Sequence, residues 1–298
     1  MSETYEAAGG PEAGRAPSGD GFEVPRGRGL APGGRWAAGA TEPERSPAWL
    51  TARRAAMDGV LDAVAGSEWA GSLVLRGSAL MARWFGERAR HPGDLDFIVR
   101  VGPHAVDAPE TERMLAGLAA AAEGRAGLTA AGVAHDEIWT YDRVPGRRMT
   151  VPWRVPGLPG GRVQLDFAFG EELACPPEPV RAPGGAGVLW AAPPSLSLAW
   201  KVLWLTNDSC PQGKDLYDAV LLAERFRVDW ALLSRVLAAG EETRRLRREE
   251  VLPWLEAQLA GYLDWENFEA EYPGPAAACP EQECRRRLAA ALGAMLAG

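Results

Sequence analysis

Asp94 and Asp96 flank one leucine at the entrance of the apolar run Asp-Leu-Asp-Phe-Ile-Val. Side chains alternate along a strand, so residues two apart share a face and both carboxylates point the same way. Two like charges on one face of a half-buried strand are costly unless a cation lies between them, and a divalent metal is the usual one. In two-metal phosphoryl transfer such carboxylates hold ions about 4 Å apart. Upstream, the short apolar run Leu-Val-Leu-Arg stops at Gly77-Ser78. Glycine lets a backbone approach a ligand, free N–H groups at a helix start attract phosphate, and Ser78 adds a hydroxyl donor. Alone, each pair has an ordinary reading, a capped strand-to-helix turn and two surface aspartates. Together they describe a phosphate cradle beside a metal platform.

Three further groups extend this pattern. In Val-Gln-Leu-Asp-Phe-Ala-Phe, the residues Val163, Leu165, Phe167 and Phe169 alternate with Gln164, Asp166 and Ala168, placing Asp166 on the less apolar face. If that strand lies beside the one carrying Asp96, Asp166 completes a carboxylate triad; otherwise it is a solvent-facing aspartate. Of 32 basic residues only Lys201 and Lys214 are lysines. An ammonium is a compact phosphate donor in a way a guanidinium is not, which singles both out. Lys201 has Ser197, Leu198, Trp204 and Leu205 as helical neighbours, so it is expected half-buried and facing an anion, either Asp166 or nucleotide phosphates. Trp200 and Trp204 read as core. Lys214 and Asp218 are spaced i, i+4 in Lys-Asp-Leu-Tyr-Asp, a spacing that also suits a weak surface pair.

These residues need elements to hold them. Residues 1 to about 45 are rich in Gly, Pro, Ala, Glu and Arg without periodicity, and read as a disordered tail. Helical spacing follows from Ser46 to about Ala65, with Ser46 as N-cap and Pro47 at the first helical position. Strands are expected at Leu73–Arg76, Leu95–Val101, Ile138–Tyr141, Met149–Val155 and Arg162–Phe169, with helices at Ser78–Phe85 and Pro109–Glu123. Pro176 to Gly187 reads as a loop. From Pro194 onward the pattern is helical: Ser195–Thr206, Gly213–Phe226, Asp229–Ala239, Glu241–Leu263 and Glu281–Leu296. The fold class is therefore α+β: a tail (1–45), a mixed-sheet catalytic domain (46–190) and a helical C-terminal domain (191–298).

Composition narrows the function classes. A net charge of −8 argues against a surface coated for non-specific nucleic-acid binding, though not against a focused basic groove. Arg244–Arg248 reads as a solvated helix face, with an RNA-backbone contact as the alternative. Cys175, Cys210, Cys279 and Cys284 show no CxxC pairing and no adjacent histidine, so neither a zinc site nor a disulfide framework is expected. His91, His104 and His135 are isolated; only His91 lies near Asp94. No run of about 18 apolar residues and no apolar leader behind a basic N-terminus are present, which predicts a cytoplasmic protein without a membrane span.

From about residue 70 to residue 226 the chain resembles the AbiEii/AbiGii-type nucleotidyltransferase toxins of the DNA polymerase β-like superfamily. The resemblance is carried by Leu75-Arg76-Gly77-Ser78-Ala79-Leu80, by Arg90 ahead of Asp94-Leu95-Asp96-Phe97, by Leu-Ala-Trp-Lys201, and by Lys214-Asp215-Leu216-Tyr217-Asp218. It implies a nucleotidyltransferase-type mixed sheet with a helical domain closing the cleft, and Mg²⁺- or Mn²⁺-dependent nucleotide transfer from an NTP. By matching position, Gly77 and Ser78 would hold the triphosphate with Lys214 nearby, and Asp94 and Asp96 the metal. Lys201 would meet phosphate or substrate, and Asp215 or Asp218 would orient the helical domain or assist the reaction. Asp166 matches the superfamily's third carboxylate, a metal ligand and a candidate for activating the attacking hydroxyl. The chain departs from the pattern at Pro92, where members often carry Ser or Thr, and in the long interval between Ser78 and Asp94.

The leading expectation is a nucleotidyltransferase toxin with a cognate antitoxin and the 3′ end of tRNA as acceptor. The alternatives are transfer to a small molecule such as an antibiotic, transfer to a protein hydroxyl, or a catalytically silent domain that works by binding a partner.

Overall fold

The computed structural model describes residues 46–100, 105–140, 144–185 and 187–297. The expected disordered tail, Val101, His104 and Tyr141 lie outside the described residues. The described chain falls within one compact unit, Pro32–Gly298.

Helix α1 (Pro47–Ala65) begins as its sequence requires, with Ser46 Oγ accepting from the Trp49 amide at 3.2 Å and Pro47 in the first turn. Strand β1 (Leu73–Arg76) leads through Gly77 into α2 (Ser78–Phe85), and β2 (Leu95–Val99) follows. Then come α3 (Pro109–Ala122) and the strands β3 (Ala134–Thr140), β4 (Val144–Trp153), β5 (Gly161–Phe169), β6 (Glu178–Arg181) and β7 (Val188–Ala191). The seven strands form one mixed sheet in the order β3-β4-β5-β2-β1-β7-β6. β2 runs parallel to β5 and antiparallel to β1, which puts the three site-bearing strands side by side.

The alternating pattern decides which face becomes core. Leu95, Phe97, Leu165 and Phe167 are fully buried, and the rings of Phe97 and Phe167 stack with centroids 5.6 Å apart. Asp96 and Asp166 face the opposite way from them. Helix α1 packs against β5, β7 and α3 and brings Trp49 to 5.4 Å from the buried Trp153.

The remaining chain is helical: α4 (Pro194–Asn207), α5 (Gly213–Arg225), α6 (Trp230–Leu237), α7 (Val251–Gly261), α8 (Trp265–Glu271), α9 (Pro273–Ala278) and α10 (Glu281–Ala297). Helix α5 is the hub of this half, packing against α4, α8 and α10.

Four expectations are corrected. The helix expected over Glu241–Leu263 is two 3₁₀ turns, Thr243–Arg245 and Arg248–Glu250, followed by α7. Pro253 has no N–H and its ring collides with the carbonyl four residues back, so the α-helix cannot extend far upstream of it. The Arg244–Arg248 segment consequently lies on turns rather than on a helix face. The loop expected at Pro176–Gly187 contains β6, whose Pro179 and charged ends are tolerated because β6 is the sheet edge. Between Asp264 and Cys279, α8 and α9 form where no element was expected. Finally, Cys279 and Cys284 are joined by a disulfide, their Cα atoms 5.7 Å apart across the turn at Pro280 that starts α10. No membrane-length apolar helix occurs among the described residues.

Candidate active site

The sheet register assembles the acidic group. Arg76 pairs with Asp96 across β1 and β2, and Asp96 pairs with Asp166 across β2 and β5. Asp94, one residue before β2, completes a set in which one oxygen from each carboxylate lies within 4.8 Å of the others. This spacing suits a divalent cation. Two further observations mark the group as incomplete by itself. Asp94 is 5% exposed, and its Oδ2 is buried without a hydrogen-bond partner among the described residues. Asp96 has its pKa raised well above the carboxylate range, first by burial and then by the charge of Asp94, with Asp166 adding to it. Asp166 is also raised by burial, against which Arg148 acts. A buried carboxylate oxygen with no donor, among carboxylates that resist ionising together, is an arrangement that a divalent ion satisfies.

Gly77 makes the adjoining cradle. Its backbone sits at φ 78°, ψ −151°, a conformation open essentially to glycine. A Cβ at this position would collide with Oδ2 of Asp96. The strand-to-helix turn and the carboxylates are therefore packed directly together. Ser78, the first residue of α2, is 3% exposed with its Oγ unpartnered among the described residues.

Facing these are groups from the helical half. Lys201 on α4 points its ammonium at Asp215 (2.6 Å) and Asp218 (3.0 Å) of α5. Asp218, with no exposure, also accepts two hydrogen bonds from the Arg90 guanidinium at 3.2 and 2.9 Å. Arg90 completes its contacts with the Tyr272 hydroxyl at 3.3 Å and lies over the Tyr272 ring. Burial alone would raise the pKa of Asp218, but Arg90 and Lys201 outweigh it and hold the carboxyl below its ordinary value. Burial likewise opposes the charge on Lys201, and Asp215 and Asp218 reverse that effect and raise its pKa. Lys201 thus meets the anion expected of it, but the anion is the pair Asp215 and Asp218 rather than Asp166. Asp218 is no surface partner of Lys214. Lys214, half-buried at the start of α5, has its pKa lowered by burial against the charge of Asp215. Its charge also acts to lower the pKa of Asp96.

Several further residues hold the site through partners that the sequence did not indicate. Arg53, on the apolar face of α1, is 4% exposed and donates from both terminal nitrogens to the carbonyls of Pro92 and Gly93, directly before Asp94. Burial lowers its pKa to about 10, with Asp94 acting to raise it. The clue was an arginine one helical turn from Trp49 and from Met57, on the stripe that faces the core. The Tyr217 hydroxyl donates to the Arg88 carbonyl at 2.7 Å, fixing the other end of the same loop. Arg76 pairs with Glu171 at 2.6 Å and lies over Trp200, which stacks on Trp204. Trp204 in turn lies 5.0 Å from the Lys201 ammonium. Arg148 on β4 is opposite Asp166 and binds it through two nitrogens, at 2.8 and 2.7 Å. His91 is exposed beside Pro92, and His135 is exposed on β3.

Among solved structures the chain is similar to an antigenic nucleotidyltransferase-like protein from Paracoccidioides brasiliensis. That match is 14% identical, covers 77% of this chain and 99% of the other, and has a TM-score of 0.39. It is also similar to MenT4, a nucleotidyltransferase toxin from Mycobacterium tuberculosis H37Rv, at 19% identity over 80% of this chain and 91% of that one, with a TM-score of 0.41. No curated protein matches the chain. The family model described as nucleotidyl transferase AbiEii toxin, type IV toxin–antitoxin system, matches residues 59–293, more than half of the chain. The matched segment contains every site residue named above except Arg53, and the chain belongs to the AbiEii nucleotidyltransferase toxin family.

Proposed function

We propose that this protein is a divalent-metal-dependent nucleotidyltransferase that moves a nucleotide from an NTP to the 3′-terminal hydroxyl of a tRNA. We read it as the cytoplasmic toxin of a toxin–antitoxin pair. The observation that carries the metal-dependent reading is the buried, unpartnered Oδ2 of Asp94 among three carboxylates, next to a cradle that only glycine can form. The toxin family supports the antitoxin partner and the nucleotide substrate. In this reading residues 46–190 are the catalytic domain and 191–298 the helical domain, with residues 1–45 a tail.

The residues divide the work by position. Asp94 and Asp96 would hold Mg²⁺ or Mn²⁺, with Asp166 completing the acidic group. Bound there, the ion neutralises charge developing on the triphosphate. The backbone at Gly77, the Ser78 hydroxyl and the Lys214 ammonium offer donors to phosphate oxygens on the same side. A new bond forms between the acceptor oxygen and the α-phosphorus while the bond to pyrophosphate breaks. Asp166, whose pKa is raised by burial despite Arg148, is the group suited to take the acceptor proton. Lys201, Asp215 and Asp218 act through geometry, tying α4 and α5 to the loop that carries Asp94 through Arg90.

The test is transfer of label from each α-³²P NTP, with Mg²⁺, to purified tRNA, to lysate RNA and protein, and to an aminoglycoside. Label on the tRNA 3′ end, lost in Asp94→Asn, is the expected result. Label confined to protein or the small molecule replaces the acceptor, and no label anywhere in the presence of Mg²⁺ refutes the enzyme reading.

A further inference from the structure

The three carboxylates are not equivalent, and the difference has a chemical consequence. Asp166 already accepts three hydrogen bonds: Arg148 Nε on Oδ1 at 2.8 Å, Arg148 on Oδ2 at 2.7 Å, and Gln164 Nε2 on Oδ2 at 3.1 Å. Both arginine contacts have the length of charge-assisted bonds, and the planar fork matches a carboxylate edge to edge. The pair is recessed, with side chains 14% and 12% exposed, so water screens it poorly. Asp94 is the reverse case, with one buried oxygen and no donor for it.

We infer, on the metal-dependent reading above, that the protein itself holds a single divalent ion, at Asp94 and Asp96. The Arg148 guanidinium then stands at Asp166 where two-metal enzymes place a second cation. The local charges agree. Asp166 is already matched by the Arg148 guanidinium, and the charges of Arg76 and Lys214 also act on Asp96, so a second divalent ion would bring positive charge in excess. A second ion would have to displace a bidentate guanidinium fixed by the β4–β5 register, in which Arg148 is directly opposite Asp166. Asp166 is then free of a metal bond, and its Oδ1, which accepts from Arg148 alone, keeps capacity for the acceptor hydroxyl, with Arg148 as its positioning residue. Sheet geometry enforces the arrangement, because Arg148, Asp166 and Asp96 lie side by side on three adjacent strands.

The experiment counts bound Mn²⁺ by electron paramagnetic resonance, titrating the full-length protein with the metal alone. The wild type should bind one ion per chain, and Asp94→Asn should bind none. Arg148→Gln should bind a second ion, or hold the first more tightly by at least ~tenfold, since a neighbouring positive charge has been removed. The charge-neutral double variant Asp166→Asn/Arg148→Gln covers the case in which the single variant does not fold. Its one ion should bind within about threefold of wild type if Asp166 is not a ligand, and more than about tenfold more weakly if it is. Two ions on the wild type, an Arg148→Gln variant that still binds one ion at unchanged affinity, or the weakened double variant would each overturn the single-ion inference alone. No Mn²⁺ bound to the wild type would overturn the metal-dependent reading with it.

Discussion

Replacing Asp218 by alanine separates a structural from a chemical role for the helical half. The side chain has no exposure and compensates two buried cations at once, Arg90 and Lys201. Its removal leaves Lys201 with Asp215 at 2.6 Å, while Arg90 keeps the Tyr272 hydroxyl at 3.3 Å and the ring beneath it, both neutral. Breaking a buried pair from one side costs about 3–5 kcal/mol, because an unpaired charge remains in a site water does not reach. A chain of this size loses roughly 2–4 °C in Tm per kcal/mol, so the expected drop is about 6–20 °C. The double variant Asp218→Leu/Arg90→Met, with no stranded guanidinium, should recover at least half of that loss. The pH dependence has a definite sign. Asp218 is held below its ordinary pKa, so its contribution is complete above the unfolded value near 4 and is lost as pH falls through the lowered one. Lys201 is raised, so its contribution fails only as pH climbs past the ordinary lysine range. The difference between wild type and Asp218→Ala should therefore be flat from about pH 5 to pH 9. Urea unfolding and thermal melts, each followed across that range, measure it. A loss of stability below about 1 kcal/mol, together with abolished nucleotide transfer, would refute the strut and make Asp218 a group that acts on substrate.

Two further perturbations probe the acidic group. Gly77→Ala should destabilise the protein by about 1–3 kcal/mol, since alanine cannot hold this φ and ψ without strain, and it should weaken Mn²⁺ binding because its Cβ displaces Asp96. An unchanged melt with unchanged metal affinity would dismiss the cradle. Asp96 has a raised folded pKa, so without metal its ionisation weakens the fold as pH rises from the ordinary carboxylate value through the raised one. Across that window the metal-free wild type should lose more stability than Asp96→Asn, and added Mg²⁺ should abolish the difference; equal slopes in melts of both metal-free proteins would contradict it.

How far the site could be read in advance depended on the range of the forces that build it. The Asp94/Asp96 pair, the Gly77–Ser78 turn and the alternation around Asp166 are local patterns, and strand and turn geometry act locally. The β2–β5 pairing that brings Asp166 beside Asp96 was legible only as a condition. Lys201 could be recognised as a buried cation from its apolar neighbours, but its partners could not, because α4 and α5 meet through a loop whose path leaves no periodic trace. Arg148 sits in an ordinary alternating segment, and only the β4–β5 register, set by tertiary packing, gives it a partner. The edge strand β6 escaped notice for the reason it is tolerated: proline and charge suit an edge and hide a strand.

The loop from Arg88 to Asp94 shows what the helical half contributes to the acidic group. Between the 3₁₀ turn ending at Arg88 and the start of β2, this segment has no sheet ladder of its own. Its position is fixed instead by three parts of the chain remote in sequence. Arg53 of α1 holds the carbonyls of Pro92 and Gly93, Tyr217 of α5 holds the carbonyl of Arg88, and Asp218 and Tyr272 hold the side chain of Arg90. A proline at position 92 suits such a segment, because its fixed φ stiffens the approach to Asp94 and no partner is needed for an N–H it lacks. The position of Asp94 beside the other carboxylates is thus tied to the docking of both α1 and α5. On the metal-dependent reading, a carboxylate positioned this way makes cation affinity a property of the assembled fold, and loosening α5 should lower it even where no ligand atom is changed.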